Sequence, residues 1–409
     1  MKSKPSAAVD RIDTRATGTG IQPYPLEFSG SGPEFFRVWI VNLLLTIVTL
    51  GFYTPFARKR TAQYFYGHTL VANSPLEFTA QQRKMVFGFL LLVVLYVAFK
   101  LLAETGQDTW AALFLFTGAA LAPYFWASAM RFRLGATRWR GVRLQFAAGW
   151  GEVYKASWPV FAAAVVWIGV VASLQMLAPG ARASGAGIGR HLLIVALLVL
   201  GVALILTLLC VIRLEYNYKA LLVSRAYAGA QPGRWKPVYG DFVRIWLATL
   251  GVLAGGALAF ALVASAAIAS GVAFAPAKRD GLAVVLAIVA GLLAILFAIV
   301  VVTSPARAYR EARMFQLVWN NVGVSTIARF KCNLRARRYV LLRMKNMVLT
   351  MLTLGFYRPF ARVSEYRMKT ESVTLHVKGG LDQLVGMLAQ QQDGLGDALA
   401  DAVGLDLIG

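Results

Sequence analysis

Asn42, Thr46, Thr49 and Tyr53 lie at offsets of 0, 4, 7 and 11, so on a helix turning 100° per residue they share one face. Asn346, Thr350, Thr353 and Tyr357 repeat that face 304 residues later. These side chains donate and accept hydrogen bonds, and none of them changes charge near neutral pH. The opposite face is apolar. In hydrocarbon, polar groups of this kind turn toward protein or water. Two readings follow: glue between neighbouring helices, or the wall of a polar path or ligand site. The two stretches, "NLLLTIVTLGFYTPFAR" (Asn42–Arg58) and "NMVLTMLTLGFYRPFAR" (Asn346–Arg362), agree at 12 of 17 positions. Gly51 and Gly355 permit a left-handed cap, and Pro55 and Pro359 stop or kink a helix. Phe56, Arg58 and Arg60 follow the first copy, and Phe360, Arg362 and Arg367 the second. Aromatic rings and cations at this place are candidate anchors to the membrane interface and to anionic headgroups.

Other chemistry is missing from the sequence. The long apolar segments carry no acidic residue; Glu104, Asp108 and Asp280 stand at their outer ends. Carriers driven by protons or sodium commonly use intramembrane carboxylates, so coupled transport is disfavoured. His68, His191 and His376 are scattered, with no metal-ligand spacing. "GAGIGR" (Gly185–Arg190) lacks the Lys-Ser/Thr ending of a phosphate-binding loop, and there is no G-x-S-x-G elbow. Cys210 and Cys332 form no C-x-x-C pair, so reduced thiols are expected. The expectation is a protein with no catalytic residues, no cofactor and no metal site, and not an enzyme.

The elements that would position the two motifs are membrane helices. Hydrophobic residues make up 58% of the 409, and charged residues only 15%. A bilayer span needs about 20 apolar residues. Met85–Ala103, Thr109–Met130, Ala156–Ala181, His191–Ile212, Ile245–Ala277 and Gly281–Ala306 each qualify. The first 35 residues are polar and hold no short apolar core of a signal peptide. Lys and Arg number 27 in one alternating set of connections and 5 in the other, which places the first set in the cytoplasm by the positive-inside rule. Cationic tails at both ends favour six spans with both termini inside. Eight spans with both termini outside is the competing arrangement. Only 12 uncharged residues separate Lys345 from Arg358. Such a helix reaches about 18 Å, short of the roughly 30 Å hydrocarbon core.

A second repeat surrounds the helices. "PLEFSGSGPEFF", "PLEFTAQQRKMVF", "RLQFAAGWGEVY" and "ARFKCNLRARRY" each pass from a short alternating run through a polar turn into a helix. Small cytoplasmic strands or hairpins joining helix pairs are expected, forming a basic, aromatic-rich layer. The fold class read from these patterns is an all-α polytopic membrane protein with six transmembrane helices. Two motif helices, re-entrant, interfacial or spanning, and small β-prone loop elements complete it. The expected organisation is a disordered tail over 1–24, one membrane domain over 25–378 and an acidic tail over 379–409. The last segment has five Asp and no Lys or Arg. It either docks on the basic layer or stays solvated.

"TLGFYTPFAR" with its upstream Asn, "TRWRGVRLQF" and "GDALADAVGLDLIG" together resemble the YjgN-like family of bacterial inner-membrane proteins. The resemblance runs from about Phe28 to the C-terminus. It implies a bacterial inner-membrane location and no reaction, because that family is of unknown function. The family usually has Trp after the motif Pro; Phe56 and Phe360 keep the aromatic ring without the indole donor. Two functional hypotheses remain. One is a non-enzymatic scaffold or lipid-interacting protein whose partners are membrane lipids, including anionic headgroups. The other is a channel or facilitator for small anionic solutes, lined by the Asn/Thr faces. Interleaving of the basic loops with membrane spans argues against a nucleic-acid partner. Nothing in the spacing sets an oligomeric state.

Overall fold

The computed structural model describes residues 20–183, 190–229, 231–269, 281–324, 328–386 and Leu388. The chain enters as a strand, β1 (Ile21–Phe28), and turns into the hairpin α1 (Gly32–Val48) and α2 (Thr54–Gly67). Strands β2 (Thr69–Val71) and β3 (Ser74–Phe78) lead to the pair α3 (Gln82–Glu104) and α4 (Asp108–Gly135). Next come β4 (Thr137–Trp139), β5 (Val142–Phe146), the short α5 (Trp150–Ala156), α6 (Trp158–Ala183) and α7 (Arg190–Ser224). Strands β6 (Ala226–Ala228) and β7 (Gln231–Trp235) precede α8 (Tyr239–Ala269) and α9 (Gly281–Asn321). The last unit is β8 (Val322–Val324), β9 (Ala328–Cys332), α10 (Ala336–Leu352), α11 (Arg358–Thr370) and β10 (Val373–Lys378).

The all-α expectation is overturned. The strands close into a single antiparallel barrel in chain order, with β1 paired to β10 as well as to β2. The local alternation was correctly read as strand, but strands of three to five residues are unstable alone. Closure satisfies every strand edge at once. The alternation also divides the barrel's faces. Leu26, Val142, Leu375 and Val377 are buried in its core, whereas Glu27, Arg143 and Arg329 are exposed. Two of the tight hairpins use positive-φ pairs, Ala72–Asn73 and Arg140–Gly141, whose twist suits a two-residue turn. Trp139 Nε1 donates to Val71 O at 3.2 Å and Arg140 Nε to Ser74 Oγ at 2.7 Å, joining these neighbouring hairpins.

Because adjacent strands are antiparallel, every helical connection leaves and re-enters the same rim of the barrel. The helices then pack in a closed circuit, α1 against α2, on through α3, α4, α5, α7, α8, α9 and α10, and α11 back against α1, with α6 packed on α7. Six helices are long and apolar enough to cross a membrane, and they match the six expected spans, apart from 270–277, which lie outside the described residues. The helices α1, α2, α10 and α11 are not among them. Each motif is therefore a helix hairpin that goes out and returns, rather than one helix. This geometry removes the single crossing that eight spans require.

The ends are tied in. Strand β1 starts at Ile21, inside the tail expected to be disordered to residue 24; residues 1–19 lie outside the described part. Residues 381–386 are helical, and Leu384 and Leu388 are buried in the barrel core with Leu375 and Val377. A side chain at Gly229 would collide with the Leu388 carbonyl, so the C-terminal segment passes tightly against the β6–β7 turn. The acidic residues from Asp393 onward lie outside the described residues.

Candidate functional site

The motif hairpins are built by local rules. Ser31 caps α1 in a reciprocal box with Glu34, and Tyr64 Oη donates to Ser31 O at 2.8 Å. The turn after α1 is a Schellman closure: Gly51 N donates to Thr46 O at 2.7 Å and Leu50 N to Ile47 O at 3.0 Å. The second copy has the same closure, Gly355 N to Thr350 O at 2.8 Å and Leu354 N to Met351 O at 3.1 Å. Two successive residues take positive φ in each turn: Leu50 and Gly51 at 49° and 94°, and Leu354 and Gly355 at 49° and 97°. These leucines are 89% and 92% exposed, so the hairpin tips present apolar surface outward.

The polar faces divide between two tasks. Asn42 and Asn346 are buried and reach across their hairpins, Nδ2 donating to Ala57 O at 3.4 Å and Ala361 O at 3.3 Å. Asn346 Nδ2 also lies 3.0 Å from Ser364 Oγ and 3.1 Å from Glu365 Oε1. Thr46 and Thr350 donate to the carbonyls of those asparagines. Thr49 and Thr353 accept from the Tyr53 and Tyr357 amides, at 2.9 Å in both copies. Tyr53 and Tyr357 stand beyond the turn as N-caps of α2 and α11, so they leave the single face expected of them. Their rings stack on Phe56 and Phe360. Phe360 lies so close to Gly32 that a side chain there would meet its ring at 2.6 Å, which holds the two copies side by side.

The expected anchors also separate. Arg367 Nη2 donates to Gly30 O at 2.7 Å and serves the β1–α1 connection. Arg60 is exposed. Arg58 and Arg362 instead line cavities. One cavity of about 840 Å³ is bounded by Asn42, Thr46, Arg58, Arg133 and Arg362. Its counterpart of about 560 Å³ is bounded by Asn346, Thr350, Arg307, Arg343, Arg358 and Arg362. The motif positions correspond, Asn42 to Asn346, Thr46 to Thr350 and Arg58 to Arg362. A third cavity shares Arg307 and Arg343 with the second. A fourth, apolar and walled by barrel strands, shares Leu222 and Val223 with the third and Tyr66 and Arg133 with the first. The four cavities thus share walls in a closed sequence, and barrel-strand residues line the first and the fourth.

Charge in this ring is unbalanced. Glu311 accepts from Tyr339 Oη at 2.9 Å, Arg343 Nη1 at 2.5 Å and Lys369 Nζ at 2.7 Å. Burial, then the Glu311 charge, pushes the Tyr339 hydroxyl well above the ordinary phenol range. Glu365 pairs with Arg343 at 3.4 Å. No ion pair or side-chain hydrogen bond among the described residues engages Arg58, Arg133, Arg307, Arg358 or Arg362. Burial, then the neighbouring Arg358, lowers the Arg362 guanidinium below its usual range. Among the described residues no group of His, Cys, Asp and Glu is placed to hold a metal ion.

Sequence reading missed Arg133, Arg307, Arg343 and Arg358 as site residues because they were counted only as topology charges. A usable signal existed in Glu311, the sole acidic residue between Asp280 and Glu365. A lone acid inside the most basic connection marks a place where buried cations need a partner.

Six apolar helices radiating from one rim of a closed strand barrel, with the strands packed around a C-terminal segment, define a polytopic membrane protein. The chain belongs to the family described as "Bacterial protein of unknown function (DUF898)", which it matches over residues 23–402. It is similar to the inner membrane protein YjgN of Salmonella typhimurium, 27% identical over 143 residues, or 35% of each chain. The inner membrane protein YjgN of Escherichia coli O157:H7 is 27% identical over 119 residues, 29% of this chain and 30% of that one. The aligned stretch thus spans about a third of the curated relatives' length. No solved structure matches the chain.

Proposed function

We propose that the protein is a non-enzymatic integral protein of the bacterial inner membrane that binds anionic lipid against a basic cytoplasmic layer. The observation that carries this reading is the set of arginines that line the cavities between the helices without an ion pair among the described residues. Arginine near hydrocarbon is costly without a partner, and a lipid phosphate is the anion always available there. The excess of Lys and Arg in the strand-bearing connections supports a cytoplasmic barrel, with both termini beside it. The relatives' names support the inner membrane. Lipids co-purifying with the protein after mild detergent extraction test this reading. Enrichment of phosphatidylglycerol or cardiolipin over the bulk membrane is expected, and bulk composition would count against it. Compartment-dependent reporters fused to each terminus are expected to report cytoplasm at both ends.

A second reading draws on a separate observation. The cavities share walls, and Asn42, Thr46, Asn346 and Thr350 line two of them, as a facilitator for small anions would require. The barrel core closed by Leu384 and Leu388 argues against an open path. Anion flux from proteoliposomes discriminates: flux abolished by Asn42→Leu with Asn346→Leu would favour this reading over the first.

A further inference from the structure

The two motif copies provide an internal comparison. Their cavities share Asn, Thr and Arg positions, but the second copy has Arg358 where the first has Thr54. Arg307, from α9, walls the second cavity as Arg133, from α4, walls the first. Glu365, the one acid lining this cleft among the described residues, is already engaged by Arg343 and by Asn346 Nδ2. Arg307, Arg358 and Arg362 therefore face one cavity, and none of them has an anionic partner among the described residues. Its volume of about 560 Å³ falls in the range of small-ligand sites. Val300, Met347 and Met351 line the same cleft, so cationic and apolar walls meet in it. Arg358 opens α11 immediately beyond the hairpin turn, away from the barrel, where water is scarcest if the hairpin enters the bilayer. An oxyanion bridging these guanidiniums would form charge-assisted, bidentate hydrogen bonds and relieve their mutual repulsion.

We propose that the cleft between α9 and the α10–α11 hairpin is a phosphate site that seats an anionic lipid headgroup among Arg307, Arg358 and Arg362. The apolar wall would hold the first carbons of the acyl chains. The site deepens the lipid reading above and rests on it. The position-matched difference from the first copy is Arg358 in place of Thr54.

The test uses the full chain in a zwitterionic detergent. It is titrated separately with short-chain phosphatidylglycerol, short-chain phosphatidylcholine and inorganic phosphate, with binding read by native mass spectrometry. The double variant R358T/R362Q gives the second copy the first copy's residue at one position and removes a guanidinium at the other. R307Q probes the same site from another helix in case the double variant misfolds. K59Q/R60Q is the charge-matched control outside the cleft. At roughly fivefold per arginine, the double variant should weaken phosphatidylglycerol binding about 10- to 30-fold. R307Q should weaken it about fivefold and K59Q/R60Q less than twofold. Equal binding of phosphatidylglycerol by all variants would overturn the site while leaving the lipid reading standing. Arginine-dependent binding of inorganic phosphate without phosphatidylglycerol would keep the phosphate site and overturn the lipid reading. Binding of neither anionic probe would overturn both.

Discussion

Asn42 and Asn346 occupy the same place in the two copies but carry different loads. Asn346 Nδ2 has three acceptors within 3.3 Å, whereas Asn42 has one at 3.4 Å. Asn346→Leu should therefore cost about 2 kcal/mol and Asn42→Leu under about 1 kcal/mol. Thermal unfolding in detergent reads the difference, and equal losses would contradict it. The buried Oδ1 of both asparagines has no partner among the described residues, which keeps either loss below the sum of its bonds. Tyr64 gives a pH signature. Burial, then the nearby Glu34 charge, pushes its hydroxyl up to about 12 from an ordinary 10.0. Folding thus favours the neutral phenol. Its contribution is complete below pH 10 and disappears as pH rises from there toward 12. Loss of stability across that interval should be smaller in Tyr64→Phe, measured by melting temperature against pH.

At the scale of elements, the motif is a reversal device. The Schellman turn closes α1 or α10, Thr49 or Thr353 ties the first residue of the return, and Pro55 or Pro359 starts it at an N-terminal position that needs no amide donor. A leucine in left-handed conformation costs on the order of 1 kcal/mol, which the repetition of the geometry makes hard to dismiss as accident. An apolar tip entering lipid offsets that cost, since burying a leucine side chain stabilises by about 2 kcal/mol. In detergent, melting temperatures should follow Gly ≥ Leu > Val at position 354, because a β-branched residue tolerates positive φ least. In bilayers the order of Gly and Leu should reverse, read by protease access to the hairpin in proteoliposomes.

For the whole molecule, the barrel makes one cooperative body from five helix pairs. Ile21 pairs with Lys378, 357 residues later, so the ends of the chain close the ring themselves. The C-terminal segment then fills the barrel core with Leu384 and Leu388. Leu384→Ala should destabilise by about 2–5 kcal/mol, the range for emptying a buried leucine site. Removal of residues 381–409 should make the barrel strands, β3 (Ser74–Phe78) and β5 (Val142–Phe146) among them, susceptible to limited proteolysis. Protection equal to the full chain's would mean that the segment contributes nothing to the core.

Hydropathy alone determined that this is a membrane protein, and all six spans were readable because each is a long run of individually favourable transfers. The strand segments were readable too, since Leu-Glu-Phe and Arg-Leu-Gln-Phe show an alternation that does not depend on the partner strand. The motif's polar face, its Gly stop and its aromatic anchor were also legible, because caps and helix faces are set within a few residues. Barrel closure was not legible. Pairing partners lie tens to hundreds of residues apart, and a three-residue strand carries too little information to name its neighbour. The return of each motif chain stood in sequence as one of three arrangements, re-entrant, interfacial or spanning: the 12 uncharged residues between Lys345 and Arg358 make a short element, and only barrel closure requires the chain to come back. The same closure brought Arg307, Arg358 and Arg362 into one cleft. In sequence they are three members of a basic excess, and only the tertiary structure decided that they face the same cavity, whose acid Glu365 is engaged by Arg343.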